Sequence, residues 1–229
     1  MSTVTTVHRP CPPAGTAKSL NSAKLGQVEL DAARLAADIA VIDTMPGNNA
    51  YGRYNMTIDP RTAGQWDQIM LGNWSGDASD GNSREFAGHY QWTLEGLKVA
   101  YIRELVGSVF RPDHLKSVRI FRAANAIIAA HKDYMEFKKG FRRLHIPLCT
   151  SGRSMNSEGS VVYHMNVGGI YYLDGRYAHA GGNLGTGKVR YHLVLDFDTE
   201  IAVEDLFFFP EHDLTGGEMD WVWLLWNDE

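Results

Sequence analysis

FRRLHIPL (residues 141–148) and RYHLVLDFD (190–198) are the stretches whose period decides the fold. Side chains alternate between the two faces of a strand, so residues two apart point the same way. In the first stretch Leu144, Ile146 and Leu148 share one face and Arg143 and His145 the other. In the second, Tyr191, Leu193, Leu195 and Phe197 oppose Arg190 and His192. SVRIFRA, SVVYHMN and GGIYYLDG have the same short, β-branched or aromatic character, and Gly, Asn and Ser turns separate them. Five such strands after two helical segments predict a mainly β chain, an antiparallel sandwich or barrel buttressed by N-terminal helices. Two Arg-x-His pairs then occupy a face that would otherwise be a buried apolar surface. Buried cations are costly unless paired, so inward Arg143 and Arg190 call for anions. Asp174 and Asp196 are candidates for one of them, and a bound dicarboxylate with a carboxylate-bearing substrate would serve both. The planar guanidinium fork suits such groups because it grips a carboxylate through two hydrogen bonds.

Outward from these strands the chain is less regular. Residues 1–24, with three prolines and scattered Ser, Thr and Gly, read as a flexible leader, and 25–229 as one domain with its β core at about 117–198. LGQVEL (25–30) predicts a short strand. Asp31 then caps a helix carrying Leu35, Ile39 and Ile42, stopped by Pro46-Gly47. Asn48 to Gly88 shows little periodicity and much Gly, Asn and Asp, and predicts a long loop holding Trp66 and Trp74. TLEGLKVAYIRELVGSVF (93–110) predicts the strongest helix, with Leu94, Leu97, Tyr101 and Leu105 on its buried side. The aromatic stretch 199–229 predicts an element packed on the barrel or a contact in a homodimer.

Composition excludes several classes. Twenty-seven Asp plus Glu against 22 Lys plus Arg give a net charge of −5, with no basic stripe for nucleic acid. No apolar run is long enough for a membrane span, and no secretory signal is evident, so the expectation is a soluble cytoplasmic protein. The two cysteines, Cys11 and Cys149, are too few for a disulfide framework or a thiolate zinc site and fit a reducing compartment.

Chemistry concentrates in AAHKDYM, with His131 and Asp133 one residue apart, and in YAHAGG, with His179. Two imidazoles and one carboxylate can take one face of an iron(II) octahedron and leave three positions open. On a strand His131 and Asp133 share a face and can point together into a barrel mouth. A rival signal is Gly182-x-x-x-x-Gly187-Lys188, which has the spacing of a phosphate-binding loop. It lacks the following Ser or Thr (Val189 stands there) and enters a strand instead of a helix, so a hairpin loop before Arg190 is the better reading. Asn55-Met-Thr and Asn73-Trp-Ser match glycosylation acceptors but lack a secretory context.

The runs RIFRAANAIIAAHKDYMEFKKGFRRLHIPL, HMNVGGIYYLDGRYAHAGGN and RYHLVLDFD resemble the aspartyl/asparaginyl β-hydroxylase family of iron(II)/2-oxoglutarate dioxygenases. Within it the likeness is greatest to the branch of bacterial L-proline cis-4-hydroxylases. The resemblance is strong over 117–198 and weak over 26–42. It implies a double-stranded β-helix (jelly roll, cupin-like) with N-terminal supporting helices. It also implies iron(II) held by His131, Asp133 and His179, and 2-oxoglutarate held by Arg190 with His145 and His192. Arg143, with Arg122 and Trp74, would contact a small amino-acid substrate such as L-proline or a related imino acid. The implied reaction uses O2 and yields hydroxylated product, succinate and CO2. Asp133 sets the chain apart from family members that lack this carboxylate, the peptidyl hydroxylases, and from related halogenases that replace it. The alternatives are hydroxylation of a side chain in a peptide or carrier-bound substrate, and a β-barrel that binds a metal or small molecule without turnover.

Overall fold

The computed structural model describes residues 20–47, 55–57, 65–80, 89–133, 141–159, 161–184, 187–198, 202, 204–208 and 221–224. Strand β1 (Ala23–Gln27) leads into helix α1 (Ala32–Ile42), then β2 (Asn55–Thr57), β3 (Gln65–Asn73) and β4 (Gln91–Trp92). Helix α2 (Ala100–Val109) follows, and then β5 (Leu115–Ala124), β6 (Ala126–His131), β7 (Arg142–Cys149) and β8 (Ser154–Glu158). The remainder is β9 (Val161–His164), β10 (Gly169–Leu173), β11 (His179–Asn183), β12 (Arg190–Phe197) and β13 (Trp221–Leu224). Every strand pair is antiparallel: one sheet has the order β1-β10-β7-β12-β5-β3-β4 and the other β13-β9-β8-β11-β6-β2.

Between β5 and β12 the chain crosses from one sheet to the other at nearly every step, so that β5, β7, β10 and β12 form one wall and β6, β8, β9 and β11 the facing wall. That alternation is the double-stranded β-helix. The first crossing turns on Asn125, whose φ of 47° lies in the left-handed region that Asn tolerates better than most residues. The chain from Asn183 to Arg190 also joins opposite walls, which corrects the expectation of a hairpin loop there. It leads into β12 and not into a helix N-terminus that could receive phosphate.

The period-two reading of the sequence holds in three dimensions. Val118, Ile120, Leu144, Ile146, Leu193 and Leu195 face Leu35, Ile42, Ile102, Leu105 and Val106 of the two helices in one core. Burying each such side chain contributes about 1.5–3 kcal/mol, which is why these faces turn outward to the helices and the Arg-x-His faces are left to the barrel interior. Asp31 caps α1 by accepting from the Ala33 and Arg34 amides, and buried Asp38 of α1 accepts from Ile102 N–H at 2.8 Å.

Three elements differ from the sequence reading. The expected loop at 48–88 contains β3, nine residues long. Its faces are Trp66, Gln68 and Met70 on one side and Asp67, Ile69 and Leu71 on the other, all buried, so no apolar/polar alternation betrays the strand. The helix expected over 93–110 begins only at Ala100, and Leu94 and Leu97 are 72% and 51% exposed. The turn before it is fixed by the Thr93 hydroxyl, which donates to the Met70 and Leu71 carbonyls and accepts from Gly96 N–H. Within the stretch expected as a leader, Asn21 and Ser22 donate to the Glu158 carboxylate. Of the aromatic C-terminal stretch, Phe207 packs against Phe110 and Trp221–Leu224 extends the second sheet beside β9. None of the described helices is long and apolar enough to cross a membrane.

Candidate metal centre

Strands β6 and β11 are neighbours with His131 directly opposite His179, which brings the two imidazole centroids to 4.5 Å. Asp133, just beyond the end of β6, is fixed by its own amide, which donates to the Gly175 carbonyl at 2.8 Å. One donor atom from each of the three residues lies within 4.8 Å of the other two. His131 Nε2 is 3.4 Å from Asp133 Oδ1, and His179 Nε2 is 3.4 Å from Asp133 Oδ2. Each Nδ1 faces a backbone carbonyl, Ala129 O at 2.8 Å and Tyr177 O at 3.0 Å. A carbonyl only accepts, so each Nδ1 carries the proton and each Nε2 offers its lone pair toward the carboxylate. That is the tautomer a divalent metal requires, fixed from behind as metal-binding histidines are.

Burial acts on these groups in both directions. It disfavours the Asp133 carboxylate, but the Arg143 guanidinium and the two imidazoles outweigh it and hold Asp133 well below the usual carboxylate range. Burial lowers His179. The same effect on His131 is outweighed because its protonated ring would donate to the Asp133 carboxylate and the Ala129 carbonyl, which raises it. The centre therefore presents a carboxylate and two imidazoles, a donor set of intermediate softness that suits iron(II).

Deeper between the sheets lies a second polar group. Arg190 of β12 is buried, donating from Nε to His192 Nε2 at 2.9 Å and from Nη2 to Asn156 Oδ1 at 2.7 Å. Both partners are neutral, because burial and the neighbouring guanidinium hold His192 far below the usual imidazole range. Among the described residues no carboxylate reaches Arg190, and desolvation pulls its pKa down to about 10. Arg190 Nη2 also approaches His192 Nδ1 at 3.2 Å, and His145 Nδ1 lies 3.3 Å from the same nitrogen. His145 Nε2 is buried without a hydrogen-bond partner among the described residues. The distal carboxylate of a small dicarboxylate would compensate such a buried guanidinium. Gly181 on the facing wall keeps the space open: a Cβ there would lie 3.1 Å from Arg190 Nη1 and 3.2 Å from Asn156 Oδ1.

The other expected site residues fall elsewhere. Arg143 does point inward, but its Nε and Nη2 donate to Asp196 at 2.8 and 3.3 Å and its Nη1 to Asp133 Oδ2 at 2.5 Å. Asp196 is thus the internal counter-ion anticipated for one arginine, while Asp174 pairs with Arg176. Arg122 does not face the barrel interior. It shares the helix-side face of β5 with Val118 and Ile120, and binds both oxygens of Asp67 at 3.0 and 2.6 Å. Strand parity sends its side chain away from the triad. Trp74 sits at the β3–β4 edge, its carbonyl accepting from Gln91 Nε2 at 3.0 Å. Trp66 instead packs with Phe121, Ala123, Ala126 and Ile128 as an apolar cluster. Asn156 and Gly181 were not singled out from sequence: an Asn between serines and a Gly beside another Gly carry no signal until the two walls are brought together.

Fold and centre together define a class, a double-stranded β-helix carrying a metal-competent His-Asp-His face. No family model matches the chain. It is similar to an L-proline cis-4-hydroxylase from Rhizobium meliloti (strain 1021), with 29% identity over 196 residues, 85% of this chain and 67% of that protein. Two L-proline cis-3-hydroxylases from Streptomyces sp. are also similar, one with 31% identity over 194 residues and the other with 29% over 163. The chain spans 64% and 54% of their lengths, and the matches take in 83% and 69% of this chain. Among solved structures, an oxidoreductase of the 2OG-Fe(II) oxygenase family from Burkholderia pseudomallei superposes with a TM-score of 0.44 at 15% identity, over 74% of this chain and 79% of that one.

Proposed function

We propose that the chain is an iron(II)- and 2-oxoglutarate-dependent dioxygenase that hydroxylates a free amino acid, with L-proline or a related cyclic imino acid as substrate. The observation that carries this reading is Arg190: a buried guanidinium whose partners among the described residues are all neutral, in the same barrel as a His-Asp-His face. His131, Asp133 and His179 hold the iron, and Arg190 with His145 binds the far carboxylate of 2-oxoglutarate. When bound, iron and 2-oxoglutarate supply O2 activation coupled to oxidative decarboxylation, which yields succinate, CO2 and one oxygen atom for the substrate C–H bond.

The protein's own work is positional. The backbone carbonyls of Ala129 and Tyr177 orient the two imidazoles, the Asn156–Arg190–His192 chain aims the anion site, and the apolar wall of Trp66, Phe121 and Ile128 excludes water. The similar proteins are named as hydroxylases of L-proline, which supports a free imino acid as substrate. Placement within the aspartyl/asparaginyl β-hydroxylase family rests on the motif resemblance, with Asp133 retained. A homodimer formed through the 199–229 stretch and a cytoplasmic location are further parts of the proposal, the first tested by sedimentation and the second by fractionation. The central test is a screen of free amino acids for stimulated succinate release with a product gaining one oxygen atom. Stimulation by L-proline or a cyclic analogue is the expected result. Stimulation by peptides alone would move the substrate class to peptidyl side chains, and no succinate under any condition would leave a binding protein.

A further inference from the structure

Asp133 offers two oxygens, and the geometry alone does not choose between them: Oδ1 is 3.4 Å from one ligand imidazole and Oδ2 is 3.4 Å from the other. Arg143 breaks the tie, because its Nη1 donates to Oδ2 at 2.5 Å. The guanidinium is itself held from behind. Its Nε and Nη2 lie on Asp196, and its plane sits 4.6 Å from the centre of the Phe141 ring. Asp196 is in turn fixed by the Ser117 hydroxyl at 2.8 Å and by Arg119, which also reaches Gln68 Oε1 at 3.2 Å. Two arginines and two aspartates thus form a neutral buried chain from β3 across β5, β12 and β7 to the metal carboxylate. On the other side Gly175 presses on the same group: a Cβ there would come within 2.7 Å of Asp133 Oδ2.

We infer that Arg143 is a positioning residue, not a substrate contact, and that it confines Asp133 to binding the metal through one oxygen. All three of its nitrogens are engaged by Asp133 and Asp196, so a substrate carboxylate would have to displace one of them. The consequence concerns the number of open positions. With Oδ2 tied to Arg143, Asp133 would offer its other oxygen to a metal, and such a three-donor face would leave room for a chelating keto acid and O2. A carboxylate free to bind through both oxygens would take one of those positions. Arg143 therefore stabilises the open face needed for the cosubstrate at some cost in affinity for the metal, since it competes for the ligand's electron density. This inference rests on the His131/Asp133/His179 metal reading.

The test uses the full chain with Mn(II), measuring metal affinity and then 2-oxoglutarate affinity of the metal-loaded protein by titration calorimetry. In Arg143→Met, Mn(II) binding is expected to hold or tighten while 2-oxoglutarate binding weakens on the order of tenfold or more. Arg143→Lys, which keeps the charge on a single nitrogen but not the planar fork, is expected to fall between Met and wild type. Should the Met variant fail to fold, Asp196→Asn, which slackens the anchor and keeps the volume, is expected to move both affinities in the same opposed directions by less. A loss of Mn(II) affinity in step with thermal stability, or unchanged 2-oxoglutarate affinity in these variants, would overturn the inference. Wild-type protein that binds no Mn(II), or binds it equally well as His179→Ala, would instead overturn the metal reading beneath it.

Discussion

Replacing Arg190 with Met separates function from stability in a way that few buried charges allow. Deleting one partner of a buried ion pair costs about 3–5 kcal/mol, because the other charge is left uncompensated. Arg190 has no such partner among the described residues, and its pKa falls from 12.5 to about 10, first because of desolvation. A displacement of that size corresponds to about 3 kcal/mol of unfavourable charge burial. The sign follows from the direction: the folded pKa is below the unfolded one, so the charged form present at neutral pH is the destabilised one, and the penalty eases only as pH rises through about 10. Against this stand the hydrogen bonds to His192 and Asn156, whose loss costs about 1–2 kcal/mol each. The two effects nearly cancel, and metal-free Arg190→Met is expected to lie within about 1 kcal/mol of wild type, a shift of ~4 °C or less for a chain of this size. Ligand linkage behaves differently. With 2-oxoglutarate at 100 times its wild-type Kd, bound protein gains about 2.7 kcal/mol. If the charge-assisted contact is worth about 3 kcal/mol, the variant's Kd rises over 100-fold and its gain drops to about 0.4 kcal/mol or less. Thermal denaturation of the metal-free protein, and of the Mn(II) form with and without 2-oxoglutarate, reads both quantities. An Arg190→Met protein destabilised by about 3 kcal/mol or more without ligand would show a paired structural arginine. A wild-type ligand shift in the variant would remove Arg190 from the anion site.

Single substitutions His131→Ala, Asp133→Ala and His179→Ala are expected to abolish Mn(II) binding by calorimetry. His164→Ala, which removes an Nδ1 contact to the Ser154 carbonyl at 2.7 Å, is expected to leave it intact. Gly181→Ala puts a methyl 3.1 Å from Arg190 Nη1 and is expected to raise the KM for 2-oxoglutarate. The rise should be on the order of tenfold, with little change in Tm. Arg122→Met breaks the paired bonds to buried Asp67 on the helix side and is expected to cost about 2–4 kcal/mol in urea unfolding. It should leave KM for both substrates unchanged, whereas a selective rise in the amino-acid KM would restore Arg122 as a substrate contact.

Legibility tracked how directly a residue's role is set by its own neighbours in the chain. Strand parity in 141–148 and 190–198 was readable because one face is apolar, and it placed Arg143, His145, Arg190 and His192 inside the barrel. β3 was not readable, since both its faces are buried and Gln68 and Asp67 interrupt any apolar run. Parity also speaks against Arg122: it follows Ile120 by two residues, and that spacing alone assigns it to the helix side. The fate of Arg143 could not be read, because Asp133 and Asp196 reach it only when β6, β7 and β12 come together.

The most direct measurement is turnover under heavy-isotope O2 with iron(II), 2-oxoglutarate and the amino acid that best stimulates succinate release. The account predicts one labelled oxygen in succinate and a second in the hydroxylated amino acid. Succinate carrying only solvent oxygen, or none formed at all, would contradict it.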